Sequence, residues 1–438
     1  MIAPLCIVIT ILKKPDAMQL KLPLVCALIC IHMSVFAAPT DKLNLSVGVA
    51  YENSNNIYLS PVKVSDNILH LLASADYQKE TSTLNIHFNL NADHENYEKN
   101  SYPDQTIYSS LLGFAATLVK NRFFWDIDNR FDNVPSSNAV ANTPNNAENT
   151  NYFSTGPRFV FFKNTKDALT ADVKYQNFYA QKADSDYSGY IMSASYIRNA
   201  TRTFTTGLTV NYNNKKFDDQ TVNTNYSKRD IVISFKDRMR LSEAELDIGN
   251  TYLNIENSPD YEHAIFRAKY YYELGVKTKF NLSYKKELAD YSGLFSTVTT
   301  ETGELSNVGS SVFLLEEGRI SAVKNFGAST VTLGYTYFSN DYYGTTSSDS
   351  NTSSPYFSYI NNLSNTLTLN VSGSYAGIEY PGIPRNDTER TYIIGLKKIF
   401  SNIYDINFNI KYTDRGSTNP NFIYDERRIS LAGHYYFR

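Results

Sequence analysis

The sequence predicts an all-β fold: a transmembrane, antiparallel, up-and-down β-barrel of about 18–20 strands, with short periplasmic turns and longer extracellular loops. Three observations carry the prediction. Apolar and polar residues alternate with period two through most of the chain, no segment past residue 38 is apolar for long enough to cross a membrane as a helix, and the connections are short and long by turns.

The alternation is plainest in 84–93. Leu84, Ile86, Phe88, Leu90 and Ala92 fall on one face; Asn85, His87, Asn89, Asn91 and Asp93 fall on the other. One face suits lipid and the other water. The same split recurs in 122–131, where Phe123, Trp125, Ile127 and Phe131 oppose Arg122, Asp126, Asp128 and Arg130, and again in 276–285, 366–375 and 405–412. The best helical candidate, Leu111 to Val119, is only about half of the roughly 20 residues a spanning helix needs. Spanning therefore falls to closed strands, because only helices and barrels satisfy every backbone polar group in lipid.

Short polar links are expected near 79–82, 120–121, 164–167, 199–201, 239–242, 273–275, 327–329, 362–365 and 400–402. Longer connections rich in Asn, Ser, Gly and Pro lie near 54–65, 98–105, 133–149, 289–305, 341–352, 379–387 and 415–423, and the interruptions at 182–186 and 217–223 fall on the long side too. That parity puts both chain ends on the periplasmic rim. The irregular stretch 291–318, with Glu301, Glu304, Glu316 and Glu317, is where the strand count is least regular.

Composition agrees. The chain has 35 Tyr and 25 Phe against a single Trp, and only 19% charged residues. From Met18 onward, Lys21, the apolar stretch Leu22 to Val35 and the small-residue pattern Val35-Phe36-Ala37 read as a secretory signal peptide over residues 1–37, with 1–17 an extended n-region or a misassigned start. The expected mature unit is one barrel domain over 38–438. All three cysteines precede residue 31, so that unit contains no thiol, disulfide or cysteine metal site. Net charge is −3 overall, too mild for a nucleic-acid partner.

The last strand ends on Ile429, Leu431, Gly433, Tyr435 and Phe437, alternating up to a terminal aromatic. This resembles the signal read by the barrel-assembly machinery, with Tyr435 and Phe437 as its residues; Arg438 offsets the match by one position. The expected partners are that machinery and outer-membrane lipids, and the expected location is integral to the outer membrane of a Gram-negative bacterium. Three further stretches, Val47 to Asn53 leading into Asn56 to Pro61, Val312 to Glu316, and Tyr412 to Arg415 with Tyr424 to Leu431, resemble the outer-membrane β-barrel porins associated with exopolysaccharide and exosortase (PEP-CTERM) systems. The resemblance implies a role in moving or surface-assembling polysaccharide, with a polysaccharide or oligosaccharide as partner; it brings no catalytic residues and no cofactor.

Side chains lining a barrel lumen set the potential a solute feels. The lumen candidates are Arg122, Asp126, Asp128, Arg130, Lys236, Arg238, Arg267, Lys269, Lys277, Lys279 and Lys285. A hairpin closing at 273–275 places Lys269 about opposite Lys279, a destabilising like-charge relation unless something compensates. Glu243, Glu245 and Asp247 share the inferred lumen face, so mutual neutralisation is one reading and an anionic solute the other; anion preference in single-channel recordings marks the second. Stacked aromatics can bind sugar rings, but Tyr51, Tyr97, Tyr108, Tyr284, Tyr412 and Tyr435 fall near strand ends or on the apolar face, where aromatic girdles sit, and the girdle is the favoured reading.

No enzyme is expected. His70, His87, His94, His263 and His434 stand without a hydrolase motif, and His87 and His94 lie on opposite faces of one strand. The leading function is a porin or channel linked to saccharide transport or secretion. The alternatives are a non-conducting structural or adhesive barrel and, last, a barrel hydrolase.

Overall fold

The computed structural model describes residues 41–137, 140–182, 185–220, 223–290, 312–343 and 349–437. The expected signal peptide, Glu301, Glu304 and Arg438 lie outside these residues.

Twenty strands make the wall. They are β1 (Lys42–Ser54), β2 (Asp66–Glu80), β3 (Leu84–Tyr97), β4 (Gln105–Val119) and β5 (Phe123–Pro135); then β6 (Ala147–Lys163), β7 (Asp167–Ala180), β8 (Tyr187–Asn199), β9 (Phe204–Phe217) and β10 (Tyr226–Arg238). The second half comprises β11 (Ser242–Ile255), β12 (Tyr261–Glu273), β13 (Thr278–Asp290), β14 (Val312–Asn325) and β15 (Ser329–Tyr342); then β16 (Ser350–Ser364), β17 (Leu367–Tyr380), β18 (Arg385–Ser401), β19 (Tyr404–Ser417) and β20 (Tyr424–Phe437). Each pairs antiparallel with the next, and β1 pairs with β20 from Leu45↔Phe437 to Ser54↔Arg428, so the sheet closes into a barrel. The count sits at the upper end of the sequence expectation.

Register sorts every strand into two faces. Val49 on β1 stands beside Leu71 on β2, and Leu333 on β15 beside Phe357 on β16; all four are exposed, and they belong to an apolar exterior that runs round the barrel. A wall whose large exposed residues are Val, Leu, Ile, Phe and Tyr faces hydrocarbon, and its ladders satisfy the backbone in that medium. Among the described residues no helix is long and apolar enough to cross a membrane. The chain is an integral outer-membrane β-barrel.

The connections alternate as expected. Those after even-numbered strands are short, down to two residues at 365–366 and 402–403, whereas 55–65 and 136–146 exemplify the other rim. Short turns mark the periplasmic side, which therefore also holds the start of β1 and the end of β20. Tyr51, Tyr108, Tyr284, Tyr412 and Tyr435 take the exterior face of their strands. Tyr97 departs from the girdle expectation: it points inward at the end of β3 and is buried against Ile57, Ile68 and Tyr102 beneath the first two extracellular loops. Burial there raises the Tyr102 hydroxyl above the ordinary tyrosine pKa.

The closing seam is held on both faces. Outside, Tyr435 and Phe437 pack edge-to-face with ring centroids 5.0 Å apart and lie in register with Val47 and Leu45. Inside, Arg428 donates to Glu52 at 2.8 Å and to Glu426 at 2.7 Å, and the Ser54 hydroxyl donates to Glu426 at 2.6 Å. Hydrogen bonds to charged groups contribute about 1.5–3 kcal/mol each, and losing the arginine strands two carboxylates. Arg428→Ala is therefore expected to lower the temperature at which the folded band converts to the unfolded band in heat-modifiability electrophoresis, while Arg427→Ala, on the exterior parity of the same strand, leaves that temperature nearly unchanged.

Candidate functional site: the lumen and its inserted hairpin tip

Most of the sequence-predicted charges do line the lumen. Asp126, Asp128 and Arg130 on β5 point inward, as do Lys236 and Arg238 on β10, Arg267 and Lys269 on β12, and Lys279 and Lys285 on β13. Two do not: Arg122 sits in the turn between β4 and β5, and Lys277 in the turn between β12 and β13. Both belong to the periplasmic rim, because the wall strands start one residue after each.

The expected apposition of Lys269 and Lys279 is also corrected. The turn takes four residues, Leu274 to Lys277, with Gly275 in the left-handed region at φ 68°, so the hairpin closes further along the chain than the sequence suggests. Lys279 then faces Glu273, 3.4 Å away, and Lys269 stands in register with Ser283 on one side and Glu245 on the other. The like-charge pair that does occur in this hairpin is Arg267 beside Lys285. Glu287 accepts from Arg267 Nε at 2.7 Å and lies 3.9 Å from Lys285, while Glu317 on β14 lies 3.0 Å from Lys285. Lys236 pairs with both Glu243 and Glu245, and Arg238 donates to Glu243 at 2.8 Å. On the facing wall Arg158 grips Asp126 through two nitrogens at 2.8 and 3.2 Å, and Lys174 reaches Asp128 at 2.7 Å. Cations and carboxylates thus alternate across adjacent strands, the arrangement that neutralises a lumen and stiffens its wall.

Two interior networks carried no signal in the sequence. At the extracellular end, buried Arg385 and Arg415 both hold Asp387, and Arg385 stacks its guanidinium 3.5 Å from the centroid of Phe422. On the opposite side of the closing seam His70 Nδ1 lies 3.0 Å from Asp93, and Glu95 accepts from Gln105 at 2.8 Å and from Tyr97 at 2.6 Å. The ligand atoms of His70, Asp93 and Glu95 lie within 4.8 Å of one another, but these hydrogen bonds occupy them and make the cluster a cross-strand brace.

The lumen is narrowed by the wall itself. β12 pairs with β13 only from Phe266↔Lys286 to Glu273↔Lys279, so above Phe266 the two strands part. Beyond that point the upper ends of β13 and β14 remain paired to each other, from Lys286↔Glu316 to Asp290↔Val312, and β14 stays paired with β15 as far as Phe313↔Tyr342, so the edge freed along β13 bends into the interior as part of a continuous sheet. Leu288 and Val312, whose parity in the wall would aim them at lipid, pack instead against inward-facing Phe178, Tyr187, Phe217, Tyr226 and Leu253 of β7 to β11. Lys215 on β9 forms a buried ion pair with Asp290, and Lys228 on β10 donates to the Leu288 carbonyl at 3.1 Å. The other face of the tip, Ala289, Phe313 and Leu315, is buried with Tyr342 at the end of β15. Tyr343 follows and bonds His263 on β12, which ties the gap. Asp349, whose carboxylate accepts the Tyr342 N–H at 2.8 Å, is pushed by burial above its usual carboxylate pKa.

Why the tip inserts is readable from its residues once the fold is known. Val312-Phe313-Leu314-Leu315 is apolar on both faces, which a strand between lipid and water never needs but a strand buried on both sides does. The upper inner face of β5 to β11 is aromatic and apolar, and in an open lumen it would meet water. Burying each such side chain is worth about 1.5–3 kcal/mol, enough to draw the hairpin inward.

No protein-family profile and no curated protein matches this sequence. Among solved structures it is similar to the outer-membrane protein OpdK of Pseudomonas aeruginosa (10% identity, 90% of this chain and 98% of that one, TM-score 0.41) and to the FrpB iron transporter of Neisseria meningitidis (10%, 90% and 82%, 0.48). It is also similar to the ferric citrate transporter FecA in its unliganded form, at 9% identity over 92% of this chain and 79% of that one, with a TM-score of 0.50. The last agreement shows a shared barrel fold; identities this low say nothing about cargo.

The Lys215–Asp290 pair offers a direct check of the docked tip. Removing one member of a buried pair leaves the other charge uncompensated, at a cost of about 3–5 kcal/mol. Asp290→Ala is expected to speed hydrogen exchange of the amides in 287–290 and 312–315 at least tenfold, while exchange in β16 to β18 and heat modifiability stay as in the parent.

Proposed function

We propose that this outer-membrane barrel is a narrowed, substrate-selective channel for an uncharged solute, and that the solute is a saccharide. The observation that carries the reading is the pairing of the lumen charges. The cationic cluster on β10 to β13 has carboxylates in register across the neighbouring strands, so the described residues of the lumen form no single-sign ring of the kind that gives a pore strong preference for anions or cations. A solute admitted by such a lumen is selected by shape and hydrogen bonding. The resemblance to exopolysaccharide-associated porins supports saccharide as the class, and the inserted tip supports selectivity over free diffusion. The same tip favours a second reading, a non-conducting barrel, to the extent that it fills the extracellular mouth.

Planar-bilayer recording of the purified, folded protein separates these. The channel reading expects a small conductance whose reversal potential in a salt gradient stays close to zero, and proteoliposomes that swell in neutral oligosaccharide. Absence of current from heat-modifiable protein supports the non-conducting barrel. A strong anion preference would overturn the neutral-lumen argument.

A further inference from the structure

One sector of the lumen differs from the rest. On the inner faces of β15, β16 and β17 there is not one charged side chain: residues 330 to 342, 350 to 362 and 368 to 380, taken at even positions, are hydroxyl, amide, small, aliphatic or aromatic. The flanking strands carry Glu317 and Arg319 on one side and Asp387, Glu389 and Lys397 on the other. Three adjacent strands without charge, in a lumen otherwise laced with ion pairs, present a wall to which an ion gains no attraction.

At mid-height in this sector an aromatic ring covers a glycine of the wall. Tyr356 on β16 stands in register with Gly334 on β15 and leans across it; a Cβ on residue 334 would fall on the ring, 2.6 Å from Cε1. Glycine inside a strand weakens it, and its usual meaning is that something approaches the backbone closely. Here that something is the Tyr356 ring, on the inward parity of β16 and partly exposed. Thr332 and Thr336 flank it on β15, Ser358 on β16, and Ser374 pairs with it from β17.

We infer that Tyr356, seated over Gly334 and ringed by Thr332, Thr336, Ser358 and Ser374, is a binding subsite for a neutral pyranoside unit. The inference rests on the channel reading above and names its solute contact. A pyranose has C–H faces that stack on an aromatic plane and a rim of hydroxyls that exchange hydrogen bonds with Ser and Thr, and it has no charge to lose by leaving water at an uncharged wall. An acidic sugar would meet no cation there. The alternative, that the ring only shields a weak glycine in the sheet, gives Tyr356 a structural role with no ligand.

Saturation-transfer NMR on the full folded barrel in detergent tests this without requiring conduction, with maltohexaose as the neutral probe and hexagalacturonate as the acidic one. Transfer is expected to the ring C–H protons of maltohexaose and not to hexagalacturonate. Affinity should fall about tenfold in Tyr356→Ala, the worth of one stacked ring, and persist in Tyr356→Phe. Gly334→Val, which lifts the ring, should reproduce the alanine effect; where that variant fails heat modifiability, the two Tyr356 variants decide. No transfer to maltohexaose, equal transfer to both probes, or transfer unchanged in Tyr356→Ala would overturn the subsite. A conducting barrel without transfer sinks the subsite and leaves the channel standing, whereas transfer without conductance keeps the subsite and removes transport.

Discussion

Backbone groups in hydrocarbon have no water to turn to, and this one constraint organises the molecule. A sheet meets it only by closing, so the ten ladder pairs between Leu45↔Phe437 and Ser54↔Arg428 matter more than any equal length of wall elsewhere. The seam shows corresponding investment: aromatic packing on the lipid side, and on the water side an arginine between two glutamates. Everything further in, including the shape of the lumen, is built on a cylinder whose closure is already guaranteed.

A closed cylinder of this many strands leaves an interior too wide for its own side chains to fill. The protein answers differently at different heights. In the lower and middle wall, cross-strand ion pairs brace neighbouring strands and cancel one another. In the upper wall, from β5 to β11, the inner face turns aromatic and apolar, and the inturned ends of β13 and β14 cover it. The result resembles a small protein core placed inside a barrel, and its cost is the lost pairing between the upper ends of β12 and β13, with Tyr343 and His263 bridging the opening.

Charge pairing and tip insertion are the two features on which the proposed channel reading rests. Neutralised clusters leave little field to draw ions, and the inturned ends of β13 and β14 narrow the upper lumen. What remains to discriminate among solutes is close contact, and the sector without charge on β15 to β17 is where an uncharged solute meets the least competition from ordered salt bridges.

Class, strand polarity and rim assignment were legible from residue order alone, because period-two alternation is a local property: His87 and His94 fall on opposite faces whatever the rest of the chain does. The inward direction of Asp126, Lys236 and Arg267 followed from the same parity. Partner identity did not follow, since it depends on register. The turn at 274–277 closes later than its sequence suggests and thereby exchanges a predicted clash of Lys269 with Lys279 for pairings with Glu245 and Glu273. Nor did the inserted tip, although Val312 to Leu315 carried a trace of it in being apolar on both faces. Whether such a segment faces lipid or a second protein layer is decided by what stands across the lumen, four strands away on β9, and that neighbour exists only once the cylinder has closed.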